Sequence, residues 1–340
     1  MGDNVAAAAD LKPEFSREVS FVDFDFTAPR FIVTVDTEEE FDWSAPFTRD
    51  CHGTTHVPAI DRFQNLCYDH HVRPAYLVDY PIANDAAAVA LLGGYAADGR
   101  ADIGVQLHPW VNPPFLEEPC VHNSYACNLP PELERQKLTA LHGLIVERFG
   151  VQPQMYRAGR YGAGPNSRKI LHDLGMTIDT SVRSLFDYSR QGGPNYADCP
   201  LEPYWIVERE LLELPVTTVF AGALHRVGKL IFSKAFQTLT SRGLLARTGM
   251  LERIALTPEG IPIEKAIEAV DIALKRKVPI LNFSFHSPSL AVGHTPYVTN
   301  DDELERFYDW WVKIFAHLAD RGVQATHVTE IAQSAGIKLD

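Results

Sequence analysis

The chain has 340 residues, 46% of them hydrophobic and 22% charged, an ordinary globular composition with length enough for a large core. A net charge of −13 excludes the broad basic surface that a nucleic-acid or anionic-membrane partner requires. No run of about 18 apolar residues occurs, which excludes an obvious transmembrane helix.

In chain order, residues 1–24 are polar and Ala-rich without a sustained period, and read as a tail or surface arm. They lack the basic and apolar regions of a secretory leader, and with five sparse cysteines the expectation is a reducing, cytoplasmic setting. From there strand-like and helical patterns alternate. The strand-like runs are Arg30–Thr37, Val72–Tyr80, Asp102–His108, Gln154–Arg157, Thr177–Ser181, Leu211–Thr217, Val278–His286 and Ala325–Val328. Helical patterns fall at Pro58–Asp69, Asn84–Ala97, Pro131–Phe149, Pro165–Leu174, Lys229–Arg247, Ile263–Lys277 and Asn300–Arg321. Pro131 and Pro165 suit first-turn positions, and "NDDE" at Asn300–Glu303 has capping-box spacing. The alternation predicts parallel strands in a distorted (β/α) barrel of seven to eight strands, forming one α/β domain over residues 25–340. A doubly wound open sheet is the alternative, but "DTEEEF" stands where a Gly-rich phosphate loop would follow the first strand.

Polar residues gather at predicted strand ends. Asp36 and Glu38 share parity at the end of the first strand, which puts them on one face, whereas Glu39, Glu40 and Asp42 are expected on a solvated loop. His108 ends the third strand with Asn112 four residues on; Arg157 ends the fourth with Tyr161 following; His286 ends a late strand after Asn282 and Ser284. Each alone has a bland reading as a satisfied histidine, an ion-pair arginine or a solvated acid. Together at the C-terminal ends of parallel strands they mark the place where a barrel assembles its active site.

The ordered set Asp36-x-Glu38, His108-Pro-Trp110, "RAGRYG" and "FHSPSL" resembles the polysaccharide deacetylases, the family 4 carbohydrate esterases with the NodB-type homology domain, in particular a bacterial branch without secretion signals. The resemblance spans residues 28–335 and implies a barrel hydrolase that removes N- or O-acetyl groups with a divalent metal, zinc first, cobalt or manganese as substitutes. By that resemblance Asp36 is the catalytic base, Glu38, His108 and Asn112 the metal ligands, and His286 the general acid. Arg157 would hold Asp36, and the amide near Tyr161 would bind the oxyanion. Asp179, Ser181 and Leu214 match groove-lining positions of relatives, while Trp110, Trp43 and His294 are candidate substrate contacts with packing as the bland alternative.

Two departures from the family pattern matter. Glu38 replaces the usual Asp, and Asn112 replaces the second His with a neutral, weaker donor. Asn112 or water completing the coordination, His122 from the next loop substituting, or a metal-free site all remain open. The expected substrate is an acetylated sugar or glycan intermediate of surface-polysaccharide assembly. The rival readings are a metal-free C–N amide hydrolase of the allantoinase-like type and a catalytically inactive barrel that binds a glycan or partner. Acceptor sugar and oligomeric state are not legible.

Overall fold

The computed structural model describes residues 19–50, 52–222 and 251–339. Its centre is one curled sheet built from β1 (Arg30–Thr37), β2 (Ala75–Val78), β3 (Asp102–Leu107), β4 (Met155–Ala158), β5 (Ile178–Asp179), β6 (Tyr204–Val207), β7 (Leu211–Glu213) and β10 (Ile280–His286). The order across the sheet is β10-β1-β2-β3-β4-β5-β7-β6, and the short β11 (Gln324–Ala325) also pairs with β1. Pairing is parallel from β10 through to β7, and only β6 runs antiparallel, against β7. This is the distorted α/β barrel that the alternation predicts. A separate hairpin-like pair, β8 (Thr218–Ala221) and β9 (Glu252–Ala255), is antiparallel.

The curl closes through a few hydrogen bonds instead of a ladder. Thr217, beyond β7, donates its amide to the Asn282 carbonyl on β10 (3.2 Å) and accepts the Asn282 amide on its hydroxyl (2.8 Å). Leu256, beyond β9, bonds to the Thr217 carbonyl (3.1 Å) and accepts from the Ser284 amide (3.1 Å). Inside the closed curl, the Asn282 side chain accepts from Thr34 Oγ1 (3.0 Å) and donates to Thr180 Oγ1 (2.8 Å). Short polar side chains on β1 and β10, and beyond β5, therefore meet inside the curl and bond to one another there.

Helices cover the outside. α1 (Ile60–Asp69), α2 (Tyr80–Asn84), α3 (Ala86–Ala97), α4 (Pro131–Phe149), α5 (Pro165–Asp173), α6 (Ile263–Lys275) and α7 (Asp301–Asp320) follow the order of the predicted helical stretches. In α7 the predicted stripe is core: Phe307, Trp311 and Phe315 are buried, and the Trp311 ring meets Phe63 and Phe285 at centroid separations of 5.3 and 5.5 Å. Asn300 caps it by accepting from the Glu303 amide (3.0 Å). None of the described helices is long and apolar enough to cross a membrane.

Several expectations need correcting. The strand expected at Ala325–Val328 shrinks to β11, because Val328 already begins the helix α8 (Val328–Ser334), whose first amide bonds to Asp102 Oδ2 (3.0 Å). The strand expected to reach Tyr80 stops at Val78, since Asp79 caps α2 by accepting from the Ile82 amide (2.9 Å). β6, a strand that none of the predicted strand-like runs covers, is held from its outer edge by the segment Ser20–Val22: the Val22 amide donates to the Pro203 carbonyl (3.1 Å), and Trp205 to Ser20 (2.9 Å). The helix expected at Lys229–Arg247 lies outside the described residues.

Replacing Asn282 by Leu keeps the branching of the side chain but removes one hydrogen bond from each of the buried Thr34 and Thr180 hydroxyls, which retain the Phe283 and Leu214 carbonyls and Arg157 as partners. A lost hydrogen bond costs about 0.5–1.5 kcal/mol, so with two side-chain bonds gone we expect N282L to lose roughly 1–3 kcal/mol of stability. Urea denaturation should show a lower midpoint at unchanged slope; an unaltered midpoint would remove this closure from the account.

Candidate active site

The cleft lies at the C-terminal ends of β1, β3, β4 and β10, a cavity of about 320 Å³. Parity brings Asp36 and Glu38 to the same side of β1, and both line it, as do His108, Trp110, Arg157, Tyr161 and His286. Gln106, Arg160, Arg183, Tyr188 and the partly exposed Trp43 and Tyr297 complete much of its wall. Gly159 lets β4 pass close to β3: a Cβ there would stand 2.6 Å from the Leu107 carbonyl oxygen and 2.5 Å from the His108 ring.

At the floor, buried Arg157 donates to Asp36 Oδ1, to Ser284 Oγ (2.9 Å) and to Thr34 Oγ1 (2.7 Å). Its remaining N–H groups reach Thr180, the carbonyl at 3.1 Å and the hydroxyl at 3.3 Å. All five guanidinium donors thus have acceptors, and the plane of the group is fixed. Above it, His286 Nε2 stands 3.8 Å from Asp36 Oδ2, while Nδ1 contacts Glu259 Oε2 at 2.7 Å. Glu259 also accepts from the His286 amide (3.1 Å) and from Ser289 Oγ (2.6 Å). Burial alone would pull the His286 imidazolium down. The charges of Glu259, Glu38 and Asp36, with the Glu259 hydrogen bond, outweigh it and push the group up to about 10.

A second pair sits beside the first. His108 Nε2 lies 3.4 Å from Glu38 Oε2, which Gln106 Nε2 also approaches at 3.3 Å. The other His108 nitrogen, Nδ1, lies 2.8 Å from Glu39 Oε2, and Trp110 Nε1 donates to Glu39 Oε1 (2.7 Å). Glu39 in turn gives its amide to Asp79 Oδ2 (2.8 Å). Burial drives Glu38 up to about 8, and it raises Glu39 and Asp79 as well. Glu39, expected on the wet side of a loop, is in fact fully buried, because it turns under His108 to orient that ring. Asp42 is exposed as expected, capping Ser44 (2.8 Å).

The donors fit a divalent cation at Glu38 and His108. Two ligand atoms about 2.1 Å from one tetrahedral ion stand roughly 3.4 Å apart, the separation found here. A carboxylate on Nδ1 leaves Nε2 as the bare nitrogen. Glu38 Oε1 is buried with no hydrogen-bond partner. Glu39, Asp79 and His108 also bring donor atoms within 4.8 Å of one another. Their oxygens, however, are spent on Trp110, His108 and the amides of Glu39 and Ile82, so that group braces His108 from behind.

Other expected site residues fall elsewhere. Asn112 does not line the cleft: its Nδ2 donates to the carbonyls of Pro113 (2.7 Å) and Lys137 (2.9 Å), tying the loop after β3 to α4, although its Oδ1 is buried without a partner. Buried Lys137 reinforces the same tie through the Pro109 carbonyl (2.9 Å) and Glu117 (2.8 Å). Asp179, Ser181 and Leu214 are fully buried beneath the cleft and do not line it; Ser181 Oγ accepts from the Ala158 amide (2.9 Å) and bonds to Asp179, which holds the end of β4. His294 lies on a neighbouring depression, 3.6 Å from Glu40, and His122 is absent from the cleft wall. Glu259 went unnoticed because nothing periodic or motif-like marks "LTPEGIP", 27 positions before the histidine it holds.

Glu40, His56 and Ser287 show the connectivity of a Ser-His-acid triad, with His56 Nδ1 3.0 Å from Glu40 and Nε2 2.8 Å from Ser287 Oγ. Ser287 is fully buried, does not line the cleft, and already accepts from the Glu38 amide (3.3 Å). The chain is a strut joining β1 to β10, not a nucleophile.

Solved structures share this fold. The chain superimposes on a putative polysaccharide deacetylase from Mycobacterium smegmatis over 94% of both chains, with 18% identity and a TM-score of 0.56. It matches the Puue allantoinase over 96% of both, at 15% identity and a TM-score of 0.50. Against a 4-alpha-glucanotransferase from Thermococcus litoralis the values are 12% and 0.52, covering 90% of this chain but 40% of that one. No protein-family model and no curated protein sequence matches. At such identities the likeness is one of fold, and the named activities differ, so any function has to be argued from the site.

The electrostatics of His286 are directly measurable. Its folded value lies above the ordinary 6.5, so its protonation stabilises the fold fully below about pH 6.5, and that contribution disappears as pH rises through about 10. Replacing Glu259 by Gln should bring the titration midpoint of the His286 imidazole, followed by NMR in metal-free protein, down by more than one unit. An unmoved midpoint would show that Glu259 does not set it.

Proposed function

We propose that the protein is a hydrolase of the polysaccharide-deacetylase type that removes an acyl group from the nitrogen or oxygen of a sugar. The observation that carries this reading is the pairing, in one aromatic-lined cleft, of a carboxylate held by a five-bonded arginine with a carboxylate-backed imidazolium 3.8 Å away. One group is arranged to accept a proton and the other to donate one.

Asp36, locked in orientation by Arg157, takes the proton of the attacking water. The tetrahedral oxyanion is received at the Tyr161 amide, on a turn that follows β4 into the cleft. His286, kept protonated by Glu259, delivers a proton to the departing amine or hydroxyl. Trp43, edge-on to His286 at 4.9 Å and partly exposed, offers an apolar surface to the sugar ring, while Trp110, buried and stacked on His108 at 4.3 Å, packs that histidine in place. A divalent cation held by Glu38 and His108 would polarise the acyl carbonyl and acidify the attacking water. The placement of Asn112 outside the cleft favours one alternative: the same acid and base cleaving a C–N bond without metal, with Glu38 as a neutral carboxylic acid.

Elemental mass spectrometry of the purified protein, with His108→Ala beside it, tests the choice. About one zinc, cobalt or manganese per wild-type chain, lost in H108A, supports the metal-dependent reading. No metal after incubation with excess cation sinks it in favour of the metal-free one. In either case Asp36→Asn should lower the rate of acetate release from acetylated chito-oligosaccharides by roughly 10²–10⁴-fold. A wild-type protein that releases acyl groups from no amide or ester substrate, with or without cation, leaves only a binding role.

A further inference from the structure

The cleft holds two arginines that the hydrolytic reading leaves without a task. Arg160 donates to Ser124 Oγ and Gln191 Oε1, both at 2.6 Å, and lies against the Tyr125 ring at 4.2 Å. Arg183 lies against Phe186 at 4.1 Å and Tyr161 at 5.3 Å, and its Nε is buried without a hydrogen-bond partner. Neither meets a carboxylate among the described residues, although the chain carries 44 acidic residues against 31 basic ones. Of the cleft's own acids, Asp36 is paired with Arg157 and Glu38 lies against Gln106 and His108, so neither faces these two arginines as a partner.

We propose that Arg160 and Arg183 form an anion subsite, and that the substrate is an acyl sugar bearing a phosphate or carboxylate group. The hydrolase reading supplies the words acyl and sugar; the anion rests on the arginines alone. A half-buried guanidinium remains charged, and leaving it without a counter-charge is costly unless a ligand brings one. Ring stacking covers the faces of the guanidinium and leaves the in-plane N–H edge to hydrogen bonding. Arg160 spends part of that edge on the neutral oxygens of Ser124 and Gln191, and Arg183 meets the Tyr188 phenol, so neither gains a counter-charge there. This is the edge that grips phosphate or carboxylate oxygens in pairs. The backbone points the same way. Arg160 and Tyr161 are consecutive non-glycine residues in the left-handed region, at φ 55° and 60°, between Gly159 and Gly162. Such strain persists where the surrounding structure holds it, often at ligand-binding positions, and here it brings both side chains to the cleft wall.

The test compares four probes by calorimetry and acetate release: N-acetylglucosamine, its 1-phosphate, N-acetylglucosaminuronic acid, and glucose 1-phosphate, which has no acyl group. At least one charged probe should bind about tenfold tighter than neutral N-acetylglucosamine, with the advantage shrinking at high salt. Whether the phosphate or the uronate wins identifies the source of the charge. Arg160→Gln and Arg183→Gln should each reduce that preference, and Arg183→Lys should restore part of it. Equal binding of charged and neutral probes by the wild-type protein overturns the subsite, as does full preference retained in both Gln variants. Arginine-dependent binding of glucose 1-phosphate with no acetate released from any probe would uphold the subsite and remove the hydrolase reading. Acetate release indifferent to charge would do the reverse.

Discussion

Everything at the mouth of this barrel hangs on the burial of one arginine. Arg157 is 1% exposed at the floor of the cleft, where an unpaired charge could not be accommodated. The fold meets that demand with Asp36 and with oxygens supplied by Thr34, Thr180 and Ser284. Those residues are small, so the strands carrying them curl into a nearly closed ring, and Asn282 ties the same residues across the gap between β10 and β7. Removing one member of a buried charge pair costs on the order of 3–5 kcal/mol, so the arginine and its carboxylate are as much a structural device as a chemical one. The same bonds hold the Asp36 carboxylate in a fixed orientation, with its second oxygen facing His286.

The acids around that pair are sorted by what backs them. Asp36 is backed by a permanent cation and His286 by a carboxylate, which is how one small cavity can offer a proton acceptor and a proton donor side by side. Glu38, Glu39 and Asp79 have only histidine, amides and hydrogen bonds, and burial drives all three upward. Glu38 differs from the other two in having an oxygen with no partner, and it faces the cleft. That unpartnered oxygen thus belongs to the carboxyl group that lines the cleft, where a cation or a proton would be taken up.

Much of the frame was legible because it follows from period and parity. β1 has the predicted bounds, α4 likewise, and the alternation of Asp36 and Glu38 along a strand put both on the cleft side. What escaped was set by tertiary contact. Glu39 was placed in water because a run of acids reads as a solvated loop, yet a single turn under His108 buries it. The spacing from His108 puts Asn112 among the ligands, but the buried Lys137 claims that loop through both its ammonium and its carbonyl, and neither contact leaves a trace in the local sequence. Glu259, β8 and β9 depend on pairings across long separations, in stretches without periodicity, and β6 is a four-residue strand whose outer edge is held by the distant Ser20 and Val22.

The charge distribution of the cleft gives it a direction. Its floor is acidic, compensated by Arg157 and by His286, whereas part of its wall carries the arginines 160 and 183 among aromatic rings. A neutral ligand would gain from the rings and hydrogen bonds but would leave the wall's positive charge uncompensated. A ligand with an anionic end would be pulled toward the wall and repelled from the floor, so it would settle in one orientation, with its uncharged part toward Asp36 and His286. Orientation of this kind lowers the entropy lost on reaching the reactive geometry. In a protein of net charge −13 the overall field opposes an anion, so a preference for one has to come from local contacts such as these two guanidinium groups.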